Sequence, residues 1–159
     1  MEAEERVRCR GHSLVRATHP TTFEVTTEGH LTTRGDCIIG IRADRGAAGL
    51  SEEFRRVLAD DRAILTTRLT AGGHSGEVLG RGSSRMTLAH PTDLVWRRSS
   101  FVDPRTVAIR CDRTAATLPR QLVRALSEGA ELEVVMVAIA ADCRDFTATS
   151  SRLSHSLRE

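Results

Sequence analysis

Six residues near the start of this 159-residue chain have side chains that could do chemistry: His12, His19, Glu24, Arg34, Asp36 and Cys37. His12 and His19 flank a short strand-like stretch, and Glu24 follows. Two imidazoles and a carboxylate suit a divalent metal or proton transfer, although their spacing matches no established ligand pattern. The plainer reading makes His12 a turn residue and His19 a pre-proline residue, both serving only in hydrogen bonds. It leaves Glu24, among threonines, on a solvated strand face. Arg34-Gly35-Asp36 reads as a turn in which glycine permits positive φ and the aspartate caps exposed amides. Cys37 is a nucleophile if a histidine lies beside it, or a small apolar residue opening a buried strand.

A second constellation occurs twice. Asp44-Arg45 and Asp112-Arg113 each sit where a strand-like run passes into a helical one. Asp capping the turn and Arg pairing across it would be structural. Arg113 with helix-proximal amides would instead grip a phosphate or carboxylate. Together these residues predict a site for a small, polar, anionic ligand. His12, His19 and Asp36 would be its catalytic groups; Glu24, Arg34, Asp44, Asp112 and Arg113 would bind the ligand. Metal and cofactor stay open. The competing class is a non-catalytic RNA- or protein-binding module using scattered arginines. Trp96 and four phenylalanines are few rings for stacking single-stranded bases.

The elements that position these residues follow from a repeat. A shift of 68 residues lays Ile41 on Ile109, Arg42 on Arg110, Asp44 on Asp112 and Leu58 on Leu126. Upstream the shift is 71, and the His19-Pro20-Thr21 triplet falls on His90-Pro91-Thr92. The chain thus reads as two units, about 5–71 and 76–142, in a domain spanning 1–143 with a polar tail over 144–159. Each unit predicts β-β-β-α-β. Alternating runs give half-buried strands, and the run from Cys37 gives a buried one. Apolar residues at helical spacing follow Ser51 and Pro119, which suit a helix start. The Gly-rich stretch 71–84 lacks the lysine of a phosphate loop and reads as a β-turn.

The expected fold is α+β, mostly β: an internally duplicated, pseudo-two-fold, barrel-like domain in which the units' strands combine and two helices plug or flank the barrel. The alternative is one open α+β sheet with both helices on one face.

The stretch Gly11-His12, Ala17-Thr18-His19, Thr22-Phe23-Glu24-Val25-Thr26 and Leu31 through Gly40 resembles an archaeal family, domain-of-unknown-function family 371. The run from Ser99 to Leu118 resembles that family's second signature. The likeness spans nearly the whole chain outside the tail. It implies an archaeal, cytoplasmic origin and supplies no activity. A fainter likeness, carried by Gly35-Asp36, is to cradle-loop barrels; Asp103-Pro104-Arg105 departs from it.

Composition sets outer bounds. All the basic residues are arginine, and lysine, asparagine and tyrosine are absent. Their A/T-rich codons make a GC-rich genome the reason. A net charge of +2 is too small to argue for a nucleic-acid partner and leaves room for a local basic patch. The longest apolar run, Val134 to Ala141, is strand-sized, which predicts no membrane span. The N-terminus has no signal-peptide core. Cys9, Cys37, Cys111 and Cys143 form no C-x-x-C pair, so free thiols are expected. Oligomeric state is not legible.

Overall fold

The computed structural model describes residues 1–32 and 34–141. The predicted tail, 144–159, and Cys143 lie outside them. Among these residues eight strands and two α-helices succeed one another in order: β1 (Glu2–Arg10), β2 (Thr22–Thr26), β3 (Ile38–Gly40), α1 (Glu52–Leu58), β4 (Ile64–Ala71), β5 (His74–Arg81), β6 (Asp93–Arg97), β7 (Thr106–Ala108), α2 (Arg120–Ser127) and β8 (Glu131–Ile139). A mostly-β α+β architecture results. The order of element types is the same before and after the β4–β5 hairpin.

Period-two burial dictates the long strands. In β1, Ala3, Val7 and Cys9 are buried while Glu2, Glu4, Arg6, Arg8 and Arg10 face out. β4 buries Leu65, Thr67, Leu69 and Ala71 and exposes the residues between them. Within 71–84 the hairpin turn is Gly72 and Gly73, at φ 58° and 79°, and His74–Arg81 is already β5. The alternation through Val78 belongs to a strand rather than to the β-turn expected of that whole stretch.

Both helices start as predicted. The Ser51 side chain accepts a hydrogen bond from the Phe54 amide at 3.1 Å, with Glu52 and Glu53 in the first turn. Pro119 caps α2. Phe54, Val57 and Leu58 of α1, and Leu122, Val123, Ala125 and Leu126 of α2, are buried. Gly11 passes the Leu126 carbonyl and Gly82 the Leu58 carbonyl so closely that a Cβ at either position would collide with backbone. These contacts seat each helix end against the strand exit of the opposite half.

The strands form two four-stranded sheets, ordered β1-β8-β4-β5 and β3-β2-β6-β7. The first is antiparallel throughout; in the second, β2–β6 is antiparallel and β2–β3 and β6–β7 are parallel. Phe23 and Trp96 stack with centroids 4.7 Å apart, and the buried indole N–H donates to Thr67 Oγ1 at 3.0 Å, tying one sheet to the other.

The strands of the two units do not combine into a closed barrel, and neither do they form the single open sheet. The sheets touch at each edge through one isolated bridge, Arg10 to Ile41 and Arg81 to Ile109. The ladders stop there because the next residue, Arg42 or Arg110, turns left-handed at φ 53° or 51° and leads the chain out of strand. Immediately beyond, Asp44 and Asp112 occupy the exposed edges of β1 and β5. The Arg8 amide donates to Asp44 Oδ1 at 3.2 Å and the Leu79 amide to Asp112 Oδ1 at 2.9 Å; the Asp44 and Asp112 amides donate back to the Arg8 and Leu79 carbonyls. Each aspartate thus closes an edge that would otherwise invite another strand. No helix among the described residues is long and apolar enough to cross a membrane.

Candidate functional site

On the face of the second sheet turned away from Trp96, Thr22, Glu24 and Thr26 of β2 lie in register with Arg97, Val95 and Asp93 of β6. This face carries a polar cluster built from Glu24, Asp93 and Arg105. Glu24 is 7% exposed. Its Oε1 accepts from the Arg105 guanidinium at 3.3 Å, and its Oε2 accepts from the Cys37 thiol at 3.6 Å. Cys37 reaches it because the Glu24 amide donates to the Cys37 carbonyl where β3 joins β2. Arg105 stands just before β7 and extends over Val95, lying 3.6 Å from Asp93 Oδ2 and 3.4 Å from Asp103 Oδ2. Asp93 Oδ1 accepts from the Thr26 and Thr92 hydroxyls at 2.8 and 2.9 Å.

Charge follows from that geometry. Burial raises the Glu24 pKa from the usual 4.5 to about 7, and the neighbouring Asp93 carboxylate, which accepts its proton in a hydrogen bond, pushes the same way; Arg105 and the Cys37 thiol act against this. Asp93 is held below its ordinary value by the bonds from Glu24, Thr26 and Thr92, which outweigh its desolvation. Below about pH 7 the two adjacent carboxyl groups thus share one proton, which rests on Glu24. Burial first, then the Glu24 charge, raises the Cys37 thiol to about 12, so it is a hydrogen-bond donor rather than a thiolate nucleophile. Beside this cluster is a cavity of about 210 Å³ lined by Glu24, Asp93, Arg105, Thr26, Glu28 and His30, among others.

The remaining predicted residues lie elsewhere. His12 Nδ1 accepts from the Leu14 amide at 3.0 Å; His19 Nδ1 accepts from the Thr21 and Thr22 amides at 3.2 and 3.1 Å. Both rings cap their own loops. His19 and Asp36 do meet, through backbone: the Thr18 and His19 amides donate to the Asp36 carbonyl. The His90 amide donates to the Pro104 carbonyl in the same way. Arg34 is exposed. Arg113 Nη1 donates to the Thr117 carbonyl within its own turn at 2.9 Å. Arg45 pairs with Glu5 at 2.8 Å and also contacts the Arg6 carbonyl. Among the described residues no group of three His, Cys, Asp or Glu side chains is placed to hold a metal ion, and His12, His19 and Glu24 are not gathered as one.

Asp93 and Arg105 were missed, although the repeat carried their signal. Asp93 occupies the position of Thr22, and Arg105 that of Cys37. Treating unshared residues of the first unit as site candidates, but not those of the second, hid half of the cluster.

The molecule is thus a two-sheet α+β protein with the Glu24 and Asp93 carboxyl groups bordering a small cavity. A family model described as a domain of unknown function, DUF371, matches residues 7–139, and the chain belongs to that family. It is 40% identical over 126 residues to the uncharacterized protein MJ0206 of Methanocaldococcus jannaschii, a match covering 79% of this chain and 93% of that protein.

Proposed function

We propose that this protein binds a small polar molecule in the cavity beside β2 and β6, and that Glu24 exchanges a proton with it. The observation that carries this reading is the buried Glu24 carboxyl with a pKa of about 7, paired with Asp93 and bordering the cavity. A group that is half protonated near neutrality serves best as a general acid–base. Asp93 accepts the hydrogen bond of the Glu24 proton, Arg105 donates to one Glu24 oxygen and the Cys37 thiol donates to the other. The cavity is smaller than the ~300–1,000 Å³ of typical drug-sized sites, which favours a compact ligand.

An anionic ligand has little support at this cavity. Arg105, its principal cation, is already shared by Glu24, Asp93 and Asp103. Glu28 and Asp93 favour a ligand with hydrogen-bond donors or a positive charge. A single-strand RNA reader is supported less: the exposed Phe101 ring is covered by the Arg97 guanidinium, 5.0 Å from its centroid. The matched order of elements, together with the paired left-handed turns at Ala17 and Leu88 and at Arg42 and Arg110, supports origin by duplication of one unit.

The test combines native mass spectrometry of protein purified from its source organism with carboxyl NMR. The expected result is a small co-purifying ligand, lost in Glu24→Gln and Asp93→Asn, that displaces the Glu24 titration from neutrality. A Glu24 carboxyl titrating near 4.5, or a ligand retained by both variants, overturns the reading.

A further inference from the structure

A second groove, on the far side of the Arg81–Ile109 bridge, has the opposite electrostatic character. Its volume is about 360 Å³, and Asp61, Arg81, Gly82, Ser83, Ile109 and Arg110 line it. Arg81 ends β5, and its amide and carbonyl exchange hydrogen bonds with Ile109 at 2.9 Å each. This exchange brings Arg81 alongside Arg110, the next residue. Neither guanidinium has an ion-pair partner among the described residues. The Arg110 amide donates to the Ser99 carbonyl at 3.0 Å, and Arg85 Nη2 donates to the Ser100 carbonyl at 3.2 Å. The loop beginning at exposed Arg98 is thereby drawn to the same rim. Asp61, the one carboxylate in the lining, is engaged by the Ser84 amide and hydroxyl at 2.8 and 3.0 Å.

The corresponding turn in the first half repeats the two arginines as Arg10 and Arg42, so what distinguishes the second half is the charge around the pair. There Arg42 turns at φ 53° and its amide donates to Glu28, so a carboxylate stands where the second half has Ser99. Thr27 stands where the second half has Arg98. Two guanidiniums that line one groove without an ion pair repel, and a doubly charged anion between them removes that repulsion while accepting their forked N–H donors. We infer that this groove binds the phosphate groups of a small di- or oligophosphate. The inference is independent of the Glu24 cavity.

Isothermal titration with inorganic pyrophosphate on the full chain at low ionic strength tests it. Binding is expected, weakened about tenfold or more by Arg81→Gln and by Arg110→Gln, as loss of a charge-assisted contact implies. Glu24→Gln, and Arg56→Gln on exposed α1 surface, should leave it unchanged. Arg81 is exposed on a strand, so its variant tests the site even if the left-handed turn at Arg110 resists substitution. No binding of pyrophosphate overturns the inference, as does equal loss in Arg56→Gln. Binding of a single-stranded oligonucleotide without pyrophosphate binding overturns it as well, because the phosphate chemistry would then belong to an extended surface.

Discussion

The two ends of one sheet face solve the burial of charge in opposite ways. At one end Arg97 donates to Thr106 Oγ1 and to Asp103 Oδ2, both at 2.9 Å, and the Thr106 hydroxyl donates to Asp103 Oδ1. Arg97 and Asp103 are both largely buried, and two guanidinium N–H groups and the Thr106 hydroxyl aim at acceptors. At the other end two carboxyls, Glu24 and Asp93, crowd one arginine that Asp103 also holds. The surplus is absorbed by keeping a proton on Glu24. A fold that needed only a satisfied face would repeat the first arrangement. The second keeps an ionisation poised near neutrality beside a cavity, at a cost in stability, and such poise is characteristic of functional sites.

That cost makes the largest expected effect. Glu24 has a folded pKa of about 7 against an ordinary 4.5, so between those values the folded state holds a proton that the unfolded state has released. Stability therefore falls as pH rises from about 4.5 to 7, by about 3 kcal/mol, and levels off above. Asp93, depressed, contributes oppositely and only at more acid pH, where protonating it removes stability. Urea unfolding at pH 5 and pH 8 should show this fall in the natural protein, and Glu24→Gln should nearly abolish it. An equal fall in both would mean that the two ends of the face do not differ as described.

Next in size is the balanced end. Arg97→Met should destabilise by about 2 kcal/mol at every pH from 5 to 8, because the buried Asp103 carboxylate loses its main partner. A pH-dependent loss would show that this end, too, stores a proton.

The smallest effect sharpens a parallel contrast between the two Asp-Arg turns. Arg45 pairs with Glu5, which also accepts from the Ser51 amide, whereas Arg113 reaches only the Thr117 carbonyl. Arg45→Ala should cost about 1 kcal/mol and Arg113→Ala less than about 0.5 kcal/mol in thermal unfolding. Equal costs would make the turns equivalent.

Much of this was legible in the residues. Alternation in Glu2–Arg10 and Ile64–Ala71, the Ser51 cap and the apolar stripes of both helices determine local structure, because period and capping act within a few residues of chain. The repeat indicated corresponding positions, and the family resemblance was legible in the same residues. Tertiary structure alone decided three things. The barrel stays open because left-handed Arg42 and Arg110 end the edge pairing after one bridge. The Asp44 and Asp112 carboxylates became edge plugs, since which amide an aspartate meets depends on a strand far away in sequence. Glu24, a residue that reads as solvated among threonines, became a buried carboxyl with a raised pKa because the fold buries it and β6 brought Asp93 beside it. Pairings across such separations set local dielectric and charge, and a sequence read residue by residue contains neither.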